Sequence, residues 1–491
     1  MFQDVDSLLS NPASTSGIFN ESGYESSENR NVPSTPRSSG KKIPQYVATF
    51  TATFSAVAGG LVLAWTSPIL DDLKDGKYRH IPLDQSEIGW IGSFVTLGAM
   101  AMCIPTGFVC DLIGRKKTLL LLVIPFTVGW LLILLAENIL MIYFGRIITG
   151  MAVGACCIAT PLYVSEIAHK TLRGTLGSYF QLMITVGILV AYLAGKFLSS
   201  FHFTILCSVF PGAFFILFFF QPESPVYLMK KGLYDQGKLS LIRLRGDLYN
   251  VDAEINEIEG CLKENSQTAI SLTAMLKKKP AVKAFIISAS LSFFQQFCGI
   301  NAVIFYASDI FATSGTNIDS HTACIIVGIF QVFATFTSSL VIDKLGRRVL
   351  LLISTLVIWV SLLQLAVYFT LKNRTTIDHH TVTELGFLPV GSLCLFIIAY
   401  SLGLGPVPWV ISSEIFPIEI KSIVSSVSIS FNWFLAFVLT KYYLPVSDSV
   451  GKDSTYYFFS TMSLIGGILV YFCLPETKGK TVNEIQKELD R

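Results

Sequence analysis

One set of charged signatures is written twice along this chain. Gly107, Asp111, Gly114, Arg115 and Lys116 follow one apolar segment, and Asp343, Lys344, Gly346, Arg347 and Arg348 follow another in the second part of the sequence. Glu166 with Arg173 is matched by Glu414 with Lys421, and Pro222-Glu223-Ser224 by Pro475-Glu476-Thr477. Three elements recurring in one order mark two homologous halves. Each set sits at the end of an apolar segment, so the duplication predicts a two-half membrane protein with these charges gathered on one membrane face.

Composition agrees. Hydrophobic residues make up 52% of 491 positions and charged residues 14%, where a soluble domain averages about 25% charged. Apolar segments of about 20 residues, the length that crosses a bilayer, begin near Val47, Ile88, Thr118, Ile139, Thr175, Phe203, Val282, Thr322, Val349, Phe387, Ile423 and Tyr456. They predict an all-α membrane protein of twelve transmembrane helices, six per half. The expected organisation is a disordered tail over 1–43, a six-helix half over 44–220, a linker over 221–280, a second six-helix half over 281–474 and a short tail over 475–491. Arg146, inside the fourth segment, is expected near its outer end, where it snorkels or lines a cavity.

The connections on the side of the two termini hold most of the Lys and Arg, which places both termini in the cytoplasm. A net charge of +2 gives no footprint for nucleic acid. The ten cysteines fall in the spans or, for Cys261, in the linker, so no structural disulfide is expected. Residues 1–43 are polar and lack the apolar core of a cleavable signal peptide. Within them Asp4-Val5-Asp6-Ser7-Leu8-Leu9 has the form of an acidic dileucine sorting signal, with a sorting adaptor as its partner. Plasma membrane and endosomal or lysosomal membrane are the two locations this leaves. In the linker, Gln236 to Arg245 and Val251 to Leu262 have helical periodicity and predict short amphipathic helices. Asn373-Arg374-Thr375 is a glycosylation sequon in an expected outer loop, whereas the sequon at Asn20 falls inside.

Polar chemistry concentrates in the second half. The seventh segment contains Gln295, Gln296 and Asn301 among Phe293, Phe294, Phe297, Phe305 and Tyr306. Amides in hydrocarbon are costly unless they meet partners or water. Beside aromatic rings they suit a neutral, hydroxyl-rich ligand, because each offers donors and acceptors. A regular helix sets Gln296 and Asn301 about 140° apart, so their convergence requires unwinding, for which Gly299 is placed. The tenth segment holds Gly403-Leu404-Gly405-Pro406-Val407-Pro408-Trp409 and cannot be a regular helix. Broken helices at membrane depth line cavities. Gln181, Gln331, Asn432 and Trp433 add polar groups within the spans. Asp111, Arg115, Glu166, Arg173, Glu223, Asp343, Arg347, Arg348, Glu414, Lys421 and Glu476 read as helix-to-helix pairs that gate the inner face rather than as ligand contacts.

Together these residues resemble the sugar porter family of the major facilitator superfamily, from about Tyr46 to Thr481. The motifs that carry the resemblance are the Gly-Arg-Lys and Gly-Arg-Arg loops, Arg173-Gly174 after Glu166, and Pro222-Glu223-Ser224-Pro225. Gln295-Gln296 with Gly299-Ile300-Asn301-Ala302, and Pro475-Glu476-Thr477-Lys478-Gly479, complete the set. The resemblance implies the major facilitator fold, facilitated or coupled sugar movement by alternating access, and sugar contacts at Gln181, Gln295, Gln296, Asn301, Gln331, Trp409 and Asn432. Trp65-Thr66-Ser67-Pro68, Ser401 to Pro406 and Asn432-Trp433 look like insect facilitated trehalose transporters and the related intracellular class of animal glucose carriers. Ser401 stands where other glucose carriers have a glutamate, and Val226 and Lys421 stand where the family has arginine.

Leu61 occupies the place where proton-coupled sugar porters carry a membrane aspartate, and no acidic residue occurs between Val47 and Leu70. A proton carrier must titrate, so passive facilitation of a neutral sugar, hexose or trehalose, is the expected function. A proton-coupled symporter and a nontransporting sugar sensor are the alternatives. No spacing of nucleophile, base or metal ligands marks an enzyme, and no cofactor is expected.

Overall fold

The structure is a computed structural model and describes residues 40–81, 83–267, 279–314, 319–374, 387–416, 418–480 and 482–490. Among these, twelve helices are long and apolar enough to cross a membrane. The first six are Ile43–Ala64, Ser86–Ile113, Arg115–Leu134, Ile139–Ile167, Arg173–Phe197 and Ser200–Phe219. The second six are Lys279–Ala312, Ser320–Leu345, Arg347–Lys372, Leu388–Ser412, Val424–Val450 and Lys452–Cys473. They are numbered below as the first to the twelfth span. Shorter helices at Pro225–Lys230, Tyr234–Arg245 and Val251–Gln267 lie between the halves, and Val482–Asp490 follows the last span.

Local sequence sets where these helices begin. Asp84 and Glu87 form a reciprocal capping box ahead of the second span. Asn138 accepts from the Met141 N–H at 3.1 Å, and Asp319 from the Thr322 N–H at 3.1 Å, opening the fourth and eighth spans. All three caps lie at the end of the bundle opposite the duplicated charges. At the charged end the second and third spans are joined through Gly114, with φ +101°, and the eighth and ninth through Gly346, with φ +90°. Only glycine takes these angles without strain. A Cβ at Gly114 would lie 2.5 Å from Glu223 Oε2, and one at Gly346 would lie 2.8 Å from Glu476 Oε2.

Small residues let the spans touch backbone to backbone, since packing rather than water expulsion holds helices together in lipid. A Cβ on Gly60 of the first span would lie 2.2 Å from Ile184 O of the fifth. One on Gly154 of the fourth would lie 2.2 Å from Ala99 O of the second.

Arg146 neither snorkels nor lines the central cavity described below; it is fully buried. Its guanidinium donates to Val62 O at 2.8 Å, Ile91 O at 3.1 Å and Thr66 Oγ1 at 3.2 Å, and lies 5.2 Å from the Trp65 ring. Val62 is in the last turn of the first span, where carbonyls lack intrahelical partners. A cation there satisfies the helix end, which is why it stays inside.

The Asp4, Leu8 and Leu9 sorting pattern and Asn20 lie outside the described residues. Asn373 falls in the last turn of the helix Arg347–Arg374, but its side chain and Thr375 lie outside them, as does the side chain of Lys421. The nine cysteines whose side chains are described are free thiols.

Candidate functional site

The seventh span breaks at Gly299. Helix Lys279–Phe297 stops, Gly299 takes φ +88°, and Ile300–Ser314 starts again, with a further kink at Tyr306. A Cβ at Gly299 would press on Phe459 at 2.7 Å. The break brings Gln296 and Asn301 together: Asn301 Nδ2 donates to Gln296 Oε1 at 2.5 Å.

From there a chain of amides runs between the seventh and eleventh spans. Gln296 Nε2 donates to Asn432 Oδ1 at 2.8 Å, and Asn432 Nδ2 donates to Gln295 Oε1 at 2.9 Å. Gln295 Nε2 then donates to Leu404 O at 2.8 Å and Gly405 O at 3.1 Å in the tenth span. Leu404 O is free to accept because the tenth span is itself broken. It passes from an α-helix at Leu388–Ala399 through a π-turn at Tyr400–Leu404 to a second α-helix at Val407–Glu414. Pro408 has no N–H to give Leu404 O, and Pro406 none to give Leu402 O. Gln295 and Ser338 take their places, with Ser338 Oγ donating to Leu402 O at 2.7 Å.

The amides face a cavity between the two halves. Gln181, Gln295, Gln296, Asn301, Gln331, Trp409 and Asn432 all line it, and among the described residues none that lines it is charged. Sequence reasoning passed over Cys156, Cys157, Phe180 and Tyr400, which also line it. They are apolar or singly polar residues inside apolar spans, and nothing in their spacing distinguishes a cavity wall from a helix contact. Trp433 lines it as well, beside Cys157. Ser401 is not among the lining residues and its hydroxyl is buried without a partner.

The two charged networks repeat one another residue by residue. In the first half Arg115 Nη2 meets Glu166 Oε1 at 2.8 Å and Arg115 Nη1 meets Asp111 Oδ1 at 3.1 Å. Glu223 accepts from the N–H groups of Arg115 at 3.1 Å and Lys116 at 2.9 Å, while Ser224 Oγ donates to Glu166. In the second half Arg347 Nη2 meets Glu414 Oε1 at 2.8 Å and Asp343 Oδ1 at 3.1 Å. Glu476 accepts from the N–H groups of Arg347 and Arg348, each at 3.0 Å, and Thr477 Oγ1 donates to Glu414 at 2.7 Å. These ion pairs therefore join helices of the same half. Contact across the halves at this end includes Gly174, where a Cβ would lie 2.3 Å from Asp343 Oδ1.

The matching carboxylates differ in acidity. Burial raises Glu223 above the usual carboxylate value, against the lowering effect of the Lys116 and Ser224 N–H groups. Burial alone would raise Glu476 too, but the N–H groups of Lys478, Arg347 and Arg348 outweigh it and hold it below the usual value.

At the opposite end the halves are tied together. Ser308 Oγ donates to Ser67 O at 3.0 Å, and Lys74 Nζ meets Asp309 Oδ1 at 3.1 Å. Lys452 holds the other oxygen of Asp309 at 3.2 Å. Towards the charged end the cavity is bounded by Phe180 and Trp409, whose rings from opposite halves meet edge-on at 6.3 Å.

Two six-helix halves closing over a neutral, amide-lined cavity define a membrane carrier of the major facilitator fold. The chain belongs to the sugar (and other) transporter family, which matches it over residues 23–489. It is 35% identical over 447 residues to the facilitated trehalose transporter Tret1 of Bombyx mori, covering 91% of this chain and 86% of that one. To a Tret1-2 homolog of Drosophila simulans it is 35% identical over 446 residues, covering 91% of each. Among solved structures, the proton:xylose symporter XylE bound to 6-bromo-6-deoxy-D-glucose matches with a TM-score of 0.76 at 24% identity, covering 91% of this chain and 99% of that one. Inward-open XylE from E. coli matches with a TM-score of 0.70 at 23% identity, covering 90% of this chain and 98% of that one.

Proposed function

We propose that the protein is a uniporter for a neutral sugar, with trehalose or a hexose as substrate, and that the charged end faces the cytoplasm. The observation that carries this is the amide chain Gln295–Asn432–Gln296–Asn301 on a cavity with no charged lining residue among those described. Amides that satisfy one another when the cavity holds no sugar can exchange those bonds for sugar hydroxyls at little net cost. A charged substrate would meet no counter-ion there. The relatives named as facilitated trehalose transporters support the substrate class. Passive transport is supported by Leu61, buried in the first span, and by a cavity wall that holds no carboxylate or imidazole among the described residues.

In this reading each charged network braces one half as a rigid body, and the halves rock about the cavity. The Ser67–Ser308 and Lys74–Asp309 contacts close one end; Phe180 with Trp409, and Gly174 with Asp343, close the other. Two further assignments belong to the same proposal. Asn373 is the glycosylated residue on the outer face, and Asp4, Leu8 and Leu9 decide between surface and endosomal membranes.

Counterflow of labelled trehalose and glucose in proteoliposomes tests the function, with and without an inward proton gradient. Exchange indifferent to the gradient is expected. Binding without exchange would make the protein a sensor, and acceleration by the gradient would make it a symporter.

A further inference from the structure

The π-turn of the tenth span is held by a residue that never reaches the cavity. Ser354 of the ninth span donates through Oγ to Ala399 O at 2.7 Å and accepts from the Leu404 N–H at 3.0 Å. In a π-helix the Leu404 N–H would bond to Ala399 O directly, five residues back. The serine hydroxyl therefore bonds both groups of that rung. The next rung is intact, with the Gly405 N–H on Tyr400 O at 2.7 Å. Span nine also presses on the turn, since a Cβ at Gly403 would lie 2.5 Å from both Leu350 O and Ser354 Cβ.

Leu404 is the residue whose carbonyl anchors the amide chain. Because Gln295 Nε2 donates to Leu404 O and Gly405 O, Gln295 Oε1 is left to accept from Asn432. Asn432 Oδ1 then accepts from Gln296, and Gln296 Oε1 from Asn301. Every amide therefore has its orientation set from the Leu404 end. One N–H each on Asn432, Gln296 and Asn301, the Asn301 carbonyl and a second lone pair on each accepting oxygen remain for a ligand. Turning Gln295 over would reverse the whole series.

We propose that Ser354 is a positioning residue for sugar recognition: by setting the π-turn it aims the Leu404 and Gly405 carbonyls at Gln295 and so fixes the hydrogen-bond direction of the amide chain. This rests on the transport function proposed above. Ser354 is buried and is not among the residues lining the cavity, so its effect on a sugar passes through Gln295.

The test is counterflow by the full chain in proteoliposomes, with labelled glucose and labelled trehalose. Ser354→Ala is expected to raise the half-saturation concentration about fivefold, the effect of one lost hydrogen bond, with maximal rate within about twofold of wild type. In a Gln295→Ala background the same change should add nothing, because the link it acts through is gone. Ser338→Ala, which frees Leu402 O but breaks no link of the amide chain, should lower thermal stability and leave half-saturation unchanged. The inference is overturned if the Ser354 and Gln295 penalties add, or if Ser354→Ala and Ser338→Ala behave alike. Ser354→Cys keeps the volume while weakening both bonds; loss of the fold in both Ser354 variants would assign the residue a structural role instead. A wild-type protein that exchanges neither sugar sinks the transport function and this inference with it. Exchange with additive penalties sinks the inference alone.

Discussion

At the residue scale the site depends on amides that meet only because their backbones are interrupted. Gln296 is the central link, donating to Asn432 and accepting from Asn301. Gln296→Ala strands both neighbours in a buried site, at a cost of about 1–3 kcal/mol per unsatisfied group. We expect the half-saturation concentration for counterflow to rise tenfold or more, with normal insertion and monodispersity on size exclusion. The residue types and the need for a break at Gly299 were legible in the sequence, because amides and a glycine inside an apolar segment conflict with a regular span. The partners were not. That Gln295 faces the tenth span while Gln296 faces Asn432 depends on how three spans pack. Arg146 shows the limit most plainly: charge within a span placed it near an end, and packing enclosed it among carbonyls.

At the element scale, the two broken spans behave as built devices. Gly299 combines φ +88° with a Phe459 ring where a side chain would go, so Gly299→Ala meets backbone strain and a clash together. It should lower thermal stability by at least about 1 kcal/mol and also weaken sugar binding, since Gln296 and Asn301 would no longer converge. An effect on stability without one on binding would show that the break does not aim the amides. The paired network helices lend themselves to a pH experiment. A carboxylate held above its unfolded value adds stability while protonated, and that contribution is lost as pH rises through the folded value. Glu223 is of this kind, so Glu223→Gln should match or exceed the wild type in thermal stability at neutral pH. Glu476 is held below its ordinary value, so its contribution is present at neutral pH and lost as pH falls through the folded value. Glu476→Gln should therefore be less stable at pH 7, and the gap should close in acid when unfolding is followed by thermal shift. Duplication made these residues recognisable as equivalents, but their difference comes from burial and from the N–H groups each carboxylate faces.

For the whole molecule, the end opposite the charged networks is where the halves are clasped. Lys74–Asp309 joins them through a partly exposed pair, worth on the order of 1 kcal/mol or less in stability. In the rocking motion proposed above it breaks as the halves part, so it biases the equilibrium between states rather than the fold. Lys74→Glu should raise labelling of a reporter cysteine placed in the cavity by a reagent added from that end, and Lys74→Arg, which keeps the charge, should not. Equal labelling in all three proteins would remove the pair from the gate. By itself, the sequence determined the class of fold, the two halves, the twelve spans, the shared charged face and the neutral amide chemistry. These follow from composition, periodicity and duplication, which are local or additive along the chain. Only the tertiary structure decided that the charged pairs brace single halves, that Arg146 is interior, and that the amides form one directed chain anchored on the tenth span. Those outcomes depend on distances between residues far apart in sequence, set by where small residues allow helices to touch and where prolines leave carbonyls free.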